Sequence, residues 1–382
     1  MVTGLLLATV AFQQVRVGSD EDLRAALRAA RAGTTIVIAA GNYRGGIEVD
    51  GLAGTAKQPI VIRGADPKAP PLFDGGANAF HLRDVAHFEL ADLAIRGATG
   101  NGINVDDGGT METPAHHVVL RRLQLTDVGD RGNQDGIKLS GVDDFSVEAC
   151  TIERWGNGGS GIDMVGCHRG VIEGCTFRHR ADSGGNGVQT KGGTSDVTIG
   201  RCRFEDAGSR AINVGGSTGL EYFRPALTDP PHAEARNIVV EHNTFMGSDA
   251  PIAFVGVDGA IVRHNTIHLP RRWAMRILQE TTAPGFVPCR NGSFTRNLVV
   301  FRSDRWSEGG VNVGAGTDPK SFVFAENWWY CVDAPARSRP TLPTTEKDGI
   351  HGKEPLFRDE KHGDLRLQSG SPAKGYGAEA RG

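Results

Sequence analysis

Apolar residues fall along this chain in a six-residue frame, apolar–x–x–(Cys/Asn)–x–apolar, that recurs through most of its length. It reads as Val147–Ile152, Ile172–Phe177, Ile199–Phe204, Val240–Phe245, Val262–Ile267, Phe294–Val299 and Phe324–Trp329. Leu90–Ile95 and Leu120–Leu125 keep the frame with leucine in the fourth place. The fourth places are Leu93, Leu123, Cys150, Cys175, Cys202, Asn243, Asn265, Asn297 and Asn327, spaced 22 to 41 residues apart and mostly 25 to 32. That interval is one solenoid turn plus the loop each turn carries.

A second register repeats after each frame, behind a glycine-rich bend. Its members are Gly102–Val105, Gly136–Leu139, Gly161–Met164, Gly187–Thr190, Ala211–Val214, Pro251–Phe254, Ala274–Ile277 and Gly310–Val313. Strand side chains alternate with period two, so the second and fourth residues point inward and the third outward. One such turn cannot bury its own apolar face; stacked turns can. Both registers together predict an all-β chain folded as a single right-handed parallel β-helix over residues 15–382. The fourth-place column predicts a buried amide ladder at a bend, with the three cysteines as reduced packing thiols in the same slot.

The ends read as caps. Ser19 with Asp22 resembles a capping box, and Leu23, Ala26, Leu27 and Ala30 form one apolar stripe, predicting a helix over about 20–31 that plugs the first turn. Pro335–Pro343 reads as a surface run, and Pro355–Leu367 as a last pair of short strands within a closing segment, 333–382. Residues 1–14 hold the apolar stretch Leu5–Phe12 with no Lys or Arg before it. They read as a short secretion signal or as a buried first strand; the first reading carries a secreted or periplasmic location.

Composition agrees with a turn-rich solenoid: 53 glycines in 382 residues, with only 7% aromatic residues. The net charge of -3 gives no bulk case for nucleic acid or a membrane surface, and nothing in the pattern calls for a second copy, so a monomer is expected. The six cysteines contain no CxxC pair, which excludes a zinc ribbon; Cys289 and Cys331 stay open as disulfide partners.

Ala39–Gly76 contains GNY, then GT…QPIVIRG, then a FDGG turn. This resembles the opening turns of secreted β-helical polysaccharide lyases, the alginate lyase and chondroitinase B group. The C-terminal EPLFRDEKHGDLRLQSGSPAKGYG resembles the closing segment of bacterial right-handed β-helix repeat proteins. The resemblance implies a lysine base and an arginine on neighbouring turns, and acidic residues holding calcium against a uronate carboxylate. Lys191, in GVQTKGG, stands where that lysine falls. The acidic ligands are replaced by Ser183-Gly-Gly-Asn-Gly-Val-Gln-Thr, and the arginine position falls on Val214, with Arg210 the nearest arginine.

The residues point the same way by themselves. Third positions of the second register stack as Asn104, Lys138, Asp163, Gln189, Asn213, Ala253, Arg276 and Asn312. Asp135, Ser160, Asn186 and Arg210 flank the column on one side; Asp106, Ser140 and Lys191 flank it on the other. At roughly 4.8 Å per turn, Lys138, Asp163, Gln189, Asn213, Lys191 and Arg210 are expected to share a solvent-facing patch on the order of 15 Å long. Cations neutralise a uronate carboxylate and acidify the proton beside it, and amides hold hydroxyls. β-Elimination then needs a base (Lys191), a neutraliser (Arg210) and a proton donor, for which Tyr222 in the long insertion Gly215–Ala235 is the candidate. Lys138, Asp163, Gln189, Asn213 and Arg276 are the candidate substrate binders.

Other readings stay open. Lys138 opposite Asp163 is also ordinary cross-strand ion pairing. A glycoside hydrolase would use Asp135 with Asp163 as its two carboxylates; a C5-epimerase or a non-catalytic carbohydrate-binding solenoid fits the same scaffold. His242 and His264 share a frame position and read as a surface ladder, while His116, His117 and His168 lack visible partners. Asp106–Asp107 and Asp143–Asp144 read as turn formers.

Overall fold

A computed structural model describes residues 13–129 and 132–380. Met1–Phe12, the greater part of the segment read as a secretion signal, lie outside the described residues; Gln13 and Gln14 stand in the first strand, opposite Thr34 and Thr35.

Three long parallel sheets run the length of the chain, with 12, 10 and 12 strands, and each turn visits them in the same order. The frame Val147–Ile152 shows how the residues make the corner. Val142–Glu148 lies in the first sheet and Thr151–Glu153 in the third. Ala149 between them has a left-handed backbone (φ 51°), as do Arg122, Arg201, His242, His264, Arg296 and Glu326 at the same place in other turns. Residues at that bend turn the chain sharply, and the next residue, in the fourth place, is thrown inward.

That inward column is the expected ladder. Asn243, Asn265, Asn297 and Asn327 are fully buried. Asn265 Oδ1 accepts from the Asn243 backbone N–H at 2.9 Å and its amide at 3.1 Å, while Asn265 Nδ2 donates to Val240 O and Arg263 O, both at 2.9 Å, and to Asn297 Oδ1 at 3.0 Å. Cys175 Sγ takes the same acceptor role toward Cys150 N at 3.4 Å. All six cysteines are free and buried. The disulfide left open for Cys289 and Cys331 is therefore not formed; Cys289 packs in the core and burial pushes its thiol up to about 11.

Inward residues of the second sheet join one continuous core from Val17 to Cys331, with Phe177, Phe204 and Phe245 stacked at 4.8 Å centroid spacing. Val313, on the last rung, is the exception to the inward pattern at 41% exposed. The cap helix spans Asp20–Ala29; the Ser19 hydroxyl accepts from Asp22 N at 3.1 Å, and Leu23 and Ala26 are buried against the first turn. Phe357–Asp359 and Asp364–Leu367 pair antiparallel, and Phe357 and Leu365 pack with Leu298, Val300 and Trp328 over the outside of the third sheet. His242 and His264 stack at 5.2 Å with rings 2° from parallel.

Candidate active site

The second sheet holds the column in register: Lys138 lies opposite Asp163, Asp163 opposite Gln189, Gln189 opposite Asn213, then Ala253, Arg276 and Asn312. The column points away from the core, yet it does not face solvent as expected. Asp163 is 2%, Gln189 9% and Asn213 1% exposed. Lys138 and Lys191 close over Asp163, Gly216 of the insertion lies against the Gln189 amide, and Arg210 bonds to Asn213.

Two lysines share one carboxylate at this floor. Lys138 Nζ donates to Asp163 Oδ2 and lies 4.0 Å from Asp135 Oδ2; Lys191 Nζ lies 3.3 Å from the same Asp163 oxygen. Among the described residues, no group bonds to Asp163 Oδ1. Burial works against the charge on Lys138, but Asp163 and Asp135 outweigh it and hold its ammonium above the ordinary value. Asp135 is buried beneath, with Oδ1 accepting from Ser160 N at 2.7 Å; burial first and then the neighbouring Asp163 push its carboxyl up to about 7.

Local backbone explains why Lys191 reaches this point. The strand Arg210–Gly215 shifts register after Gln189, so Thr190 pairs with Gly215 and one residue, Val214, is extra. Such bulges re-aim side chains. Val214 itself is buried in the core, so the place where the resemblance set an arginine is an interior position. At Gly216 a Cβ would collide with the Gln189 amide and press on the Lys191 stem. Of the two glycines after Lys191, at φ 64° and 88°, Gly192 lies against Val165 and Thr218 and Gly193 leaves room that the Arg224 backbone fills.

The insertion is pinned by two charged residues, Glu234 near its end and Arg224 in its middle, that sequence reasoning did not single out. Glu234, fully buried, accepts from Gly192 N at 2.9 Å, Thr218 N at 3.0 Å and Thr218 Oγ1 at 2.8 Å. Arg224 grips Asp143 with two hydrogen bonds at 2.6 and 2.9 Å, and reaches Gly166 O and His168 Nδ1, both at 2.9 Å. Burial raises the Asp143 carboxyl, but the Arg224 bonds outweigh it and hold it below the carboxylate range. Asp143 and Asp144 are thus strand residues on arginines, not the turn formers expected; Asp106 and Asp107 do close turns, onto Gly108 and Gly109 N–H at 3.0 Å each. The only sequence signal for Arg224 and Glu234 was the insertion's length.

Pinned this way, the insertion walls a cleft of about 620 Å³, within the usual range for a ligand site. Lys138, Ser140 and Lys191 form its floor; Thr218, Glu221, Tyr222 and Arg224 form one wall, and Asp107, Met111 and Asn133 the other. Tyr222 stands at the rim, 63% exposed. The structure therefore brings Lys138, Lys191 and Tyr222 into one cleft, with Asp163 beneath it. It does not bring in Arg210 or Arg276. Arg210 lies past the opposite edge of the column, its guanidinium donating to Asn213 Oδ1 at 3.1 Å and to Glu280 at 2.7 Å. Arg276 bonds to Asn312 and lies over the Trp273 ring at 4.7 Å. Gln189 and Asn213 sit under neighbouring side chains and do not line the cleft.

The calcium implied by the resemblance does not fit these residues. Hard cations need several free oxygen ligands, whereas Asp163 Oδ2 already faces two lysine Nζ atoms and Asp135 is raised to about 7.

The family model for the right handed beta helix region matches residues 78–267. No curated protein sequence matches the chain. Among solved structures, the PL6 family polysaccharide lyase Pedsa3628 from Pseudopedobacter saltans aligns over 96% of this chain and 99% of its own, with TM-score 0.58 and 13% identity. The alginate lyase from Paenibacillus sp. str. FPU-7 aligns over 79% of this chain and 100% of its own, with TM-score 0.56 and 21% identity. Pectate lyase Pel9A aligns over 94% and 90%, with TM-score 0.53 and 14% identity. Together with the three parallel sheets, these likenesses define the class: the chain is a right-handed parallel β-helix. At such identities they speak for the fold alone.

Proposed function

We propose that the protein is a carbohydrate-active enzyme that cleaves an acidic, uronate-containing polysaccharide by β-elimination. The observation that carries this reading is the pair of lysines sharing one buried carboxylate on the floor of an open cleft. That polysaccharide lyases named for alginate and pectate share the architecture supports the substrate class.

Lys138, held charged by Asp163, receives the uronate carboxylate and so acidifies the C5 proton. Lys191 is the base that takes that proton. The electron pair left on C5 forms the C4–C5 double bond as the C4–O bond breaks. The leaving oxygen takes a proton from the Tyr222 hydroxyl, which the insertion carries at the rim. Arg224 and Glu234 act on Tyr222 only by fixing the insertion. The enzyme works as a monomer, and because its polymer substrate lies outside the cytoplasm, the reading carries a secreted or periplasmic location with it.

The hydrolase that pairs Asp135 with Asp163 is disfavoured: its two carboxylates must reach the scissile bond, and these two lie beneath the lysines and do not line the cleft. A C5-epimerase shares the proton abstraction and differs in keeping the C4–O bond.

The test is incubation with alginate, pectate and chondroitin, read by ultraviolet absorbance of unsaturated uronate ends. Absorbance that rises with the native chain and falls by roughly 10²–10⁴ in Lys191→Ala agrees with the assignment. Chain shortening without absorbance overturns elimination; affinity for the glycan without any product overturns catalysis; an unchanged rate in Lys191→Ala overturns the base.

A further inference from the structure

The stacking that builds the cleft also collects three histidines on a different sheet. His87 lies in the first-sheet strand Ala86–Ala91, and His116 and His117 in its neighbour Ala115–Arg121. The pairing of His116 with Ala86 and Val118 with Phe88 sets His117 beside His87. Both His87 and His117 have left-handed backbones (φ 47° and 53°), which is uncommon outside glycine and turns both rings out of the pleat. Their ring centroids lie 4.3 Å apart, and His116 stands edge-on to both, at 5.4 and 5.1 Å.

We propose that His87, His116 and His117 form a three-imidazole site for a zinc-class divalent ion on the outer face of the first sheet, separate from the glycan cleft. One ring nitrogen from each lies within 4.8 Å of the other two, and His116 Nδ1 lies 2.9 Å from His117 Nδ1. Metal–nitrogen bonds of roughly 2.0–2.1 Å place tetrahedral ligand nitrogens about 3.3 Å apart. Small rotations of the rings reach that spacing. Metal binding uses the neutral imidazole, with its ring nitrogen free to coordinate.

The nearby carboxylates are already engaged. Asp144, on the next turn beside His117, is held by Arg169 at 2.8 and 3.0 Å, and Glu89 by Arg121 at 2.9 Å. Three imidazoles, with the described carboxylates Asp144 and Glu89 already paired, favour zinc, copper or nickel over calcium or magnesium. A shallow groove containing His87 and His117, bordered by Thr55, Pro59 and Phe145, leaves the fourth coordination position open. The ion would tie two adjacent turns together.

The test uses the full chain without a histidine tag, with Zn²⁺ and Co²⁺ alone as probes. Calorimetry should give one zinc per chain, and Co²⁺ should give the visible bands of a four-coordinate site, displaced by Zn²⁺. His87→Asn and His117→Asn keep a residue that tolerates the left-handed backbone, so both should fold; each should weaken zinc binding by at least ~100-fold. Replacing the stacked pair, as His242→Ala with His264→Ala, should leave binding unchanged. No zinc uptake by the folded chain overturns the site, as does uptake that survives both asparagine variants or disappears with the His242 and His264 changes. Lyase activity plays no part in the readout, so the site stands or falls independently of the cleft.

Discussion

Two stacked polar columns run down this solenoid, and they end up as different things. The inner column, Asn243 to Asn327, is closed. Each amide both gives and receives, and Glu346 finishes the series by accepting from Asn327 Nδ2 at 2.8 Å and from Trp329 Nε1. The outer column on the second sheet is open between Lys138 and Lys191. Two lysine Nζ atoms converge on Asp163 Oδ2, while its other oxygen has no partner among the described residues. Repetition alone produces the first arrangement. The second needs a break in the repeat, supplied by the extra residue at Val214 and the insertion after it. A polar column with every group satisfied holds the fold; one left unbalanced beside a cleft has charge to offer a ligand.

The largest effect belongs to the closed column. Asn265→Ala removes one acceptor and three donated bonds inside the core, leaving backbone and side-chain groups buried without partners. Urea unfolding should show a loss of about 3 kcal/mol or more, with glycan turnover per folded molecule unchanged. A loss under about 1 kcal/mol would show that the ladder is neutral packing.

Next comes Lys138→Met in the open column. The cation that meets the uronate carboxylate is gone, while Lys191 and its contact to Asp163 remain. The ratio kcat/KM on the acidic polymer should fall roughly 100-fold, in line with the loss of one partner of a desolvated charge pair. Added salt should weaken the native enzyme more than the variant. A rate within a few-fold of native would move the carboxylate's partner elsewhere.

Asp135 tests the same imbalance through pH. Its folded carboxyl titrates at about 7 against an ordinary 3.8, so between those values the folded chain holds a proton the unfolded chain has lost. Its stabilising share is therefore full below pH 3.8 and is lost as pH rises through about 7. Asp135→Asn, which keeps an oxygen for Ser160 N, should be more stable than native above that pH. The gain is on the order of 1 kcal/mol and fades as pH falls toward 4. Parallel stability curves for the two proteins across that range would show that the group carries no such penalty.

How much of this the sequence disclosed follows from what repeats. Asn243, Asn265, Asn297 and Asn327 recur at one place in the frame, so the ladder was readable before any coordinate. Lys138 and Asp163 recur as well, and their pairing followed. Burial of the outer column was not readable, because alternation gives the direction of Lys138, Lys191 and Arg210 but not that they fold down onto Asp163 and Asn213. Arg224 finds Asp143 across 81 residues, and Glu234 finds Gly192 across 42; no pattern links either pair. His116 and His117 looked solitary for the opposite reason. Their partner His87 sits one turn earlier, at a left-handed position the strand alternation conceals.

Arg210 gives the smallest effect and the sharpest separation of the column's two edges. Linear stacking puts it near Lys191, as the cation beside the substrate. In the folded chain it spends its guanidinium on Glu280 and Asn213 and is absent from the lining of the cleft. Arg210→Gln should therefore leave kcat/KM within about two-fold, the span of an ordinary substitution away from a site, whereas Lys138→Met does not. The control is Glu280→Gln, which frees Arg210 without removing it and should be equally quiet. A fall of about 100-fold in Arg210→Gln, comparable to losing a desolvated charge partner, would mean that the substrate crosses the whole sheet. The productive groove would then extend over Gln189 and Asn213, beyond the pocket beneath Tyr222.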